Sequence, residues 1–110
     1  MSDEAVLLDV LTHGRRAIRA AKQKDAFLRD EIAQSAVAYC ISVMGEAVKR
    51  LSPEFQRSHP EVNWSDIAKM RDLLVHAYHR VDWNVVWETV TTSIPETLRV
   101  IENLVPPKND

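Results

Sequence analysis

The chain has almost no glycine, two residues in 110. Together with five prolines and little apolar–polar alternation, that scarcity leaves small room for turn-rich β architectures. Cysteine is scarcer still: Cys40 stands alone in the apolar stretch "AVAYCISVM", which excludes a disulfide framework or a thiolate zinc cluster built within one chain. It reads as a small core residue. Long hydrophobic runs are missing too, because nowhere do about 18 apolar residues follow one another, the length a spanning helix requires. The start "MSDEAVLLDV" lacks a basic segment followed by an apolar run. A soluble cytoplasmic protein without membrane association is the expectation. A surplus of positive charge is also absent: the net charge of −2 argues against non-specific adhesion to nucleic acid as the main activity.

What is present is ordinary for a folded protein. Apolar residues make up 45% and charged residues 27%, and a chain of 110 residues suffices for one domain with one core, spanning 1–110. The first residues and the tail "PPKND" are expected to fray. Charge is unevenly spread. His13, Arg15, Arg16, Arg19, Lys22 and Lys24 form a segment without an acid, preceded by Asp3, Glu4 and Asp9. A solvated basic helix face and a surface for phosphate or a partner are both compatible with it.

Apolar residues recur three or four apart along most of the chain, the period of amphipathic helices. A first helix is expected from Ser2 or Asp3 to Lys22, with Val6, Leu7, Val10, Leu11, Ala17, Ile18 and Ala21 inward and Gly14 a modest interruption. A second is expected from Lys24 or Asp25 to Leu51, carrying Leu28, Ile32, Ala36, Tyr39, Cys40, Val43, Ala47 and Leu51 inward. Ser52-Pro53 stops it, and Ser52 to Pro60 should form a turn or a single helical turn. "NWSDIAKMRDLLVHAYH" reads as a third helix, capped by Asn63 or Ser65, with Ile67, Met70, Leu73, Leu74 and Ala77 inward. A last helix, capped by Asp82, carries Val85, Val86, Val90, Leu98, Ile101 and Leu104, and Pro95 should kink or divide it. Trp83 and Trp87 share a face and suit core or interface anchors. The fold class is therefore all-α, an up-and-down four-helix bundle with a kinked or split last helix.

"RDLLVHAYHR", residues 71–80, concentrates the chemistry. On a continuous helix Leu73, Leu74 and Ala77 share one side, and Arg71, Asp72, His76 and His79 fall on the other, away from the core. Roughly 140° separates Arg71 from His76 and roughly 160° separates His76 from Tyr78, but arginine's reach allows a phosphate between the first two. A guanidinium gives phosphate two parallel charged hydrogen bonds. An imidazole, ordinarily titrating near pH 6.5, exchanges protons near neutrality, as cleavage of RNA through its 2′-hydroxyl requires. Asp72, His76 and His79, four and three apart, form a competing metal-ligand stripe that lacks a fourth partner, and His13 and His59 cannot be placed near it.

Arg71-Asp-Leu-Leu-Val-His76-Ala-Tyr78 fits the R-x-x-x-x-H-x-Y motif of HepT-like proteins, a branch of the HEPN domains. The blocks "GEAVKRLS", "VNWSDIAKMRDLLVHAY" and "VDWNVVWETVTTSIPETLRVIENL" extend the resemblance over nearly the whole chain. The resemblance implies a dimerising helical bundle with ribonuclease activity. Arg71 and His76 would be catalytic, the first a phosphate anchor and the second an acid or base, with no metal or other cofactor required. Asp72 stands where the family accepts asparagine or aspartate, Glu46 would support the site or the dimer, and Tyr78 matches a tyrosine that a cognate nucleotidyltransferase modifies with AMP.

The expectation that follows is an endoribonuclease toxin of the type VII kind, acting on RNA as a homodimer with two motifs at one cleft and paired with a minimal nucleotidyltransferase antitoxin. Two-fold symmetry would bring together motifs that each face away from their own core. A non-catalytic helical module that binds a nucleotide or tethers the nucleotidyltransferase is the alternative, and a metalloenzyme is the third reading.

Overall fold

The computed structural model describes residues 2–105, so the expectations for Met1 and for the tail from Pro106 onward lie outside the described residues. Every regular element among them is helical. Helix α1, Asp3–Ala21, starts where the Ser2 hydroxyl accepts the Ala5 amide at 3.2 Å. Its buried face, Val6, Leu7, Val10, Leu11, Gly14, Ala17 and Ala21, is close to the one that the periodicity predicts.

The expected helix from residue 24 to 51 is divided. A short α2, Lys24–Leu28, ends at Arg29, and α3, Glu31–Lys49, begins afresh after Asp30. The Asp30 carboxylate accepts the amides of Ile32 and Ala33, both at 3.0 Å, and the Lys22 ammonium at 2.8 Å. An aspartate that can satisfy the orphan amides of a new helix offers the chain an alternative to continuing the old one. Phe27 fixes the corner: its ring is fully buried, and its carbonyl accepts the buried Gln34 side-chain Nε2 at 3.0 Å.

Ser52 caps α4, Pro53–Ser58, the single helical turn expected there, and also donates to Asp3 through its amide and hydroxyl, each at 3.0 Å. Helix α5, Trp64–His76, is capped by Asn63. It stops three residues earlier than expected. Ala77 leaves helical geometry and a 3₁₀ turn, Tyr78–Arg80, follows. Asp82 caps α6, Trp83–Glu88, as predicted. The last helix then loosens into a π turn, Thr89–Ser93, before α7, Ile94–Glu102. Pro95 sits in the first turn of α7, where a missing amide donor costs least, so the expected division occurs immediately before the proline.

The long helices alternate in direction. Asp3 meets Ser52 and His13 meets Tyr39, so α3 runs back along α1; Gly45 meets Arg71 while Ser35 meets Tyr78, so α5 runs back along α3. Lys24 pairs with Glu88 and Gly14 touches Leu98, returning the last helix along α1. This is the expected all-α bundle, with α3 at its centre between α1 and α5. Trp83 packs edge-on against Phe27, and Trp87 donates to the Lys22 carbonyl at 3.2 Å beneath the Lys24 ammonium. Both tryptophans are anchors, as expected.

The central place of α3 explains which inward assignments fail. Packed on two sides, it buries Ala33, Val37, Cys40, Ile41, Met44 and Val48, whereas Ile32 is 81% and Tyr39 64% exposed. A single apolar stripe was too narrow a description for a helix with two neighbours. Leu73 and Val85, also expected inside, are exposed.

Candidate active site

Arg71 is positioned by a glycine. Gly45 has no Cβ, and one placed there would overlap the Cβ and Cγ of Arg71, so the backbones of α3 and α5 meet more closely here than side chains permit. The arginine is consequently set into the α3–α5 seam with only 22% of its side chain exposed. The expectation that it faces away from the core is corrected on this point. Its Nη2 lies 2.6 Å from Glu46 Oε1 and its Nη1 3.0 Å from Asp72 Oδ1, while Nε is buried without a hydrogen-bond partner among the described residues.

Asp72 is shared. The Lys49 ammonium donates to the same Oδ1 at 2.9 Å. Lys49 first, then Arg71, holds this carboxyl below the usual carboxylate range. Glu46, Lys49, Arg71 and Asp72 therefore form one chain of alternating charge across the seam, with two formal positive and two negative charges. Glu46, a supporting residue on resemblance alone, is in direct contact with Arg71.

His76 is the last residue of α5, exposed, and makes no hydrogen bond or ion pair with any described residue. Tyr78 lies beyond the helix end, so the angle expected from a continuous helix does not apply to it. Its hydroxyl is 3.4 Å from Ser35 Oγ and its ring stands edge-on to Trp83, with centroids 5.4 Å apart. The geometry thus joins Arg71, Asp72 and Glu46 in one cluster. His76 ends the same helix and Tyr78 lies just beyond it, with no side-chain hydrogen bond or ion pair from either to that cluster among the described residues.

The stripe of Asp72, His76 and His79 does not form, because His79 belongs to the 3₁₀ turn and Asp72 is held by two cations. Among the described residues no group of three or more histidine, cysteine, aspartate or glutamate side chains converges as metal ligands. His13 bonds the Asp9 carbonyl on α1, and His59 stacks on Phe55 beside Glu61. Neither belongs to the motif.

Sequence reasoning passed over Gly45, Lys49 and Ser35. Gly45 carried a usable signal, since one of only two glycines placed inside a helical pattern marks a close approach. Lys49 and Ser35 carried none beyond their spacing on α3.

The site is thus a clamped arginine in the α3–α5 seam, followed at the helix end by an exposed histidine and a tyrosine, and comparison of the whole sequence with known proteins gives its context. The family model described as "Ribonuclease HepT-like" matches residues 7–104. The "Probable ribonuclease HepT" of Thermococcus cleftensis is 44% identical over 78 residues, covering 71% of each chain. The "Putative RNase MJ0127" of Methanocaldococcus jannaschii is 33% identical over 103 residues, covering 92% of this chain and 85% of its own. A third relative, "Putative RNase TTE0752" of Caldanaerobacter subterraneus, is 37% identical over 79 residues, covering 72% of this chain and 70% of its own. No solved structure matches the chain. The chain belongs to the HepT-like ribonuclease family. Among the described residues no helix is long and apolar enough to cross a membrane.

Proposed function

We propose that this protein is a metal-independent endoribonuclease, active as a homodimer in the cytoplasm, and the toxin of a type VII pair whose antitoxin is a minimal nucleotidyltransferase. The observation that carries the reading is the division of labour within one helix: Arg71 is immobilised in the α3–α5 seam, and His76, five positions on, is exposed and unengaged. A fixed guanidinium suits a phosphate that must be held still, and a free imidazole suits proton exchange.

The reaction needs no group beyond these. The 2′-hydroxyl oxygen attacks the adjacent phosphorus, forming the O2′–P bond while P–O5′ breaks, to give a 2′,3′-cyclic phosphate and a 5′-hydroxyl. An imidazole accepts the 2′ proton and a protonated imidazole supplies one to the departing O5′. A two-fold dimer would place two copies of His76 at one cleft, one for each transfer. Leu73 and Val75 support that assembly, because both are exposed and flank the motif on α5. Glu46 and Asp72 orient Arg71 in this reading, and Tyr78 is the point at which the partner attaches AMP.

Expression of the wild-type chain without a partner should slow growth and degrade RNA. His76→Ala should keep the helical content and do neither, checked by circular dichroism and by cleavage of a labelled RNA. A folded His76→Ala protein that cleaves RNA at the wild-type rate would remove this histidine from the mechanism.

One observation favours the alternative, a non-catalytic module that binds a nucleotide or tethers the nucleotidyltransferase. Both Nη groups of Arg71 are already engaged by carboxylates, so a phosphate must compete with Glu46 or Asp72 for them. Under that reading purified wild-type protein binds nucleotide and leaves RNA intact.

A further inference from the structure

The basic segment of α1 is sorted by the fold into two kinds of cation. Arg15 pairs with Glu102 at 2.9 Å, Lys22 with Asp30 at 2.8 Å and Lys24 with Glu88 at 3.3 Å. The first ties α7 to α1, the second bridges the end of α1 to the start of α3, and the third ties α2 to α6. Arg16 and Arg19, one turn apart, make no ion pair or hydrogen bond among the described residues. Both line a cavity of about 400 Å³ between α1 and α3, together with Ala36, Tyr39 and Cys40, and no carboxylate lines it.

Tyr39 is the second observation. A tyrosine 64% exposed on the central helix of a bundle leaves most of an aromatic ring in water, and among the described residues its one ring contact is the edge-type approach of the His13 imidazole, at 6.3 Å between centroids. Tyr39 also connects the cavity to the candidate active site: it lies one helical turn, about 6 Å along α3, from Ser35, whose hydroxyl touches Tyr78. Two free guanidinium groups, an exposed ring and a path to the motif thus lie in sequence across the outer face of α3.

We propose that this α1–α3 cavity is a subsite for single-stranded RNA, in which Tyr39 stacks on an unpaired base and Arg16 and Arg19 hold the adjoining phosphates. The strand then crosses Ser35 and Tyr78 to reach His76. The subsite rests on the ribonuclease reading for its purpose but not for its chemistry. Small alanine side chains at the cavity floor give a base room to lie flat, and arginine is suited both to phosphate and to the face of a base. Selection of a single strand follows, because a base paired within a duplex cannot offer its face to Tyr39. Net charge of −2 fits as well: the molecule attracts RNA through one local patch and not through its whole surface.

The test measures binding apart from cleavage. In the His76→Ala protein, a fluorescent single-stranded RNA oligonucleotide should bind roughly five- to hundred-fold more weakly after Tyr39→Ala and with nearly native affinity after Tyr39→Phe. Arg16→Ala with Arg19→Ala should flatten the dependence of log affinity on log salt by about 1.4, the value for two phosphate contacts on a single strand. Arg57→Ala and Arg99→Ala, exposed cations away from the cavity, should leave that slope unchanged. With native His76 the double arginine variant should raise KM while keeping kcat. All the substituted side chains are exposed, so the fold is retained.

Unchanged affinity and slope in a protein that cleaves RNA would overturn the subsite and spare the ribonuclease reading. Loss of oligonucleotide binding in a protein whose native form cleaves no RNA would spare the subsite and overturn the reading. An equal flattening by the Arg57 and Arg99 variants, or a loss of self-association with RNA affinity intact, would show diffuse attraction or a protein contact, and the subsite would fall.

Discussion

Arg71 and Tyr78 belong to one motif in the sequence, yet the fold gives them opposite circumstances. The arginine has little freedom: its two Nη groups are held by carboxylates and its Nε is enclosed. A buried N–H without a partner costs on the order of 1–3 kcal/mol, a penalty consistent with geometry that serves orientation more than stability. The tyrosine is 38% exposed, its hydroxyl reaching Ser35 and its ring resting on Trp83. A phenol so placed is accessible to a modifying partner. In the proposed switch its oxygen attacks the α-phosphorus of ATP and pyrophosphate departs, leaving AMP as an added charge and bulk where RNA phosphate must enter. Tyr78→Phe should therefore resist neutralisation by the nucleotidyltransferase and keep at least part of its RNA cleavage, because the edge-on contact with Trp83 survives. Mass spectrometry after incubation with the partner and ATP checks the first point, and an RNA assay the second. Equal nucleotide addition to both proteins would place the modification elsewhere. The motif was legible because its residue types sit at a defined spacing; the break between His76 and Tyr78 was not, since no glycine or proline marks it. Tertiary contacts of Tyr78 with Ser35 and Trp83 accompany the change of direction there.

Among the elements, α3 and its two neighbours set the geometry of the site. Gly14 and Gly45 each permit a close helix approach, but they differ in what a methyl group would strike. At Gly14 the obstacle is the end of Leu98, which can turn aside; at Gly45 it is the base of the Arg71 side chain and the Ile67 carbonyl, which cannot. Alanine normally gains about 1 kcal/mol over glycine within a helix. Overpacking costs roughly 1–3 kcal/mol, so at Gly45 strain should win, whereas at Gly14 the two effects should nearly offset. Gly45→Ala should lower the denaturant midpoint and reduce RNA cleavage by more than its stability loss explains, since separating α3 from α5 moves Arg71. A Gly45→Ala protein as stable and active as the wild type would show that the close approach is dispensable. Helix positions were largely readable from apolar period and capping residues: Asn63, one of the two caps expected for α5, and Asp82 cap as predicted, while Ser2 and Ser52 add caps at the expected helix start and at the expected stop. The Asp30 boundary was missed because apolar spacing continues across it. Only the folded chain shows the carboxylate bonded to Ile32, Ala33 and Lys22.

At the scale of the whole molecule, one chain presents His76 exposed at the end of α5, with no hydrogen bond or ion pair among the described residues. A transferred proton must be given and taken at opposite sides of the reacting phosphorus, which one copy of His76 does not supply. Exposed Leu73, one turn before His76, and exposed Val75, one turn after Asp72, border the motif with apolar surface. Apposing two such faces about a two-fold axis would bury both and bring two copies of the motif to one cleft. Neither Leu73 nor Val75 lines the α1–α3 cavity, so burying those two side chains does not by itself close the RNA subsite. Light scattering at micromolar concentration should report a dimer, and Leu73→Lys should yield a folded monomer with little cleavage. Complementation makes the stronger test. Arg71→Ala and His76→Ala should each be inactive alone; unfolded together and refolded, half of the dimers combine one intact Arg71 with one intact His76 on different subunits. A shared cleft should recover measurable RNA cleavage in that mixture, reduced because one histidine is left for one proton transfer and water takes the other. A mixture as inactive as either parent, with mixed dimers demonstrated by native mass spectrometry, would mean that each protomer must supply both residues to its own site.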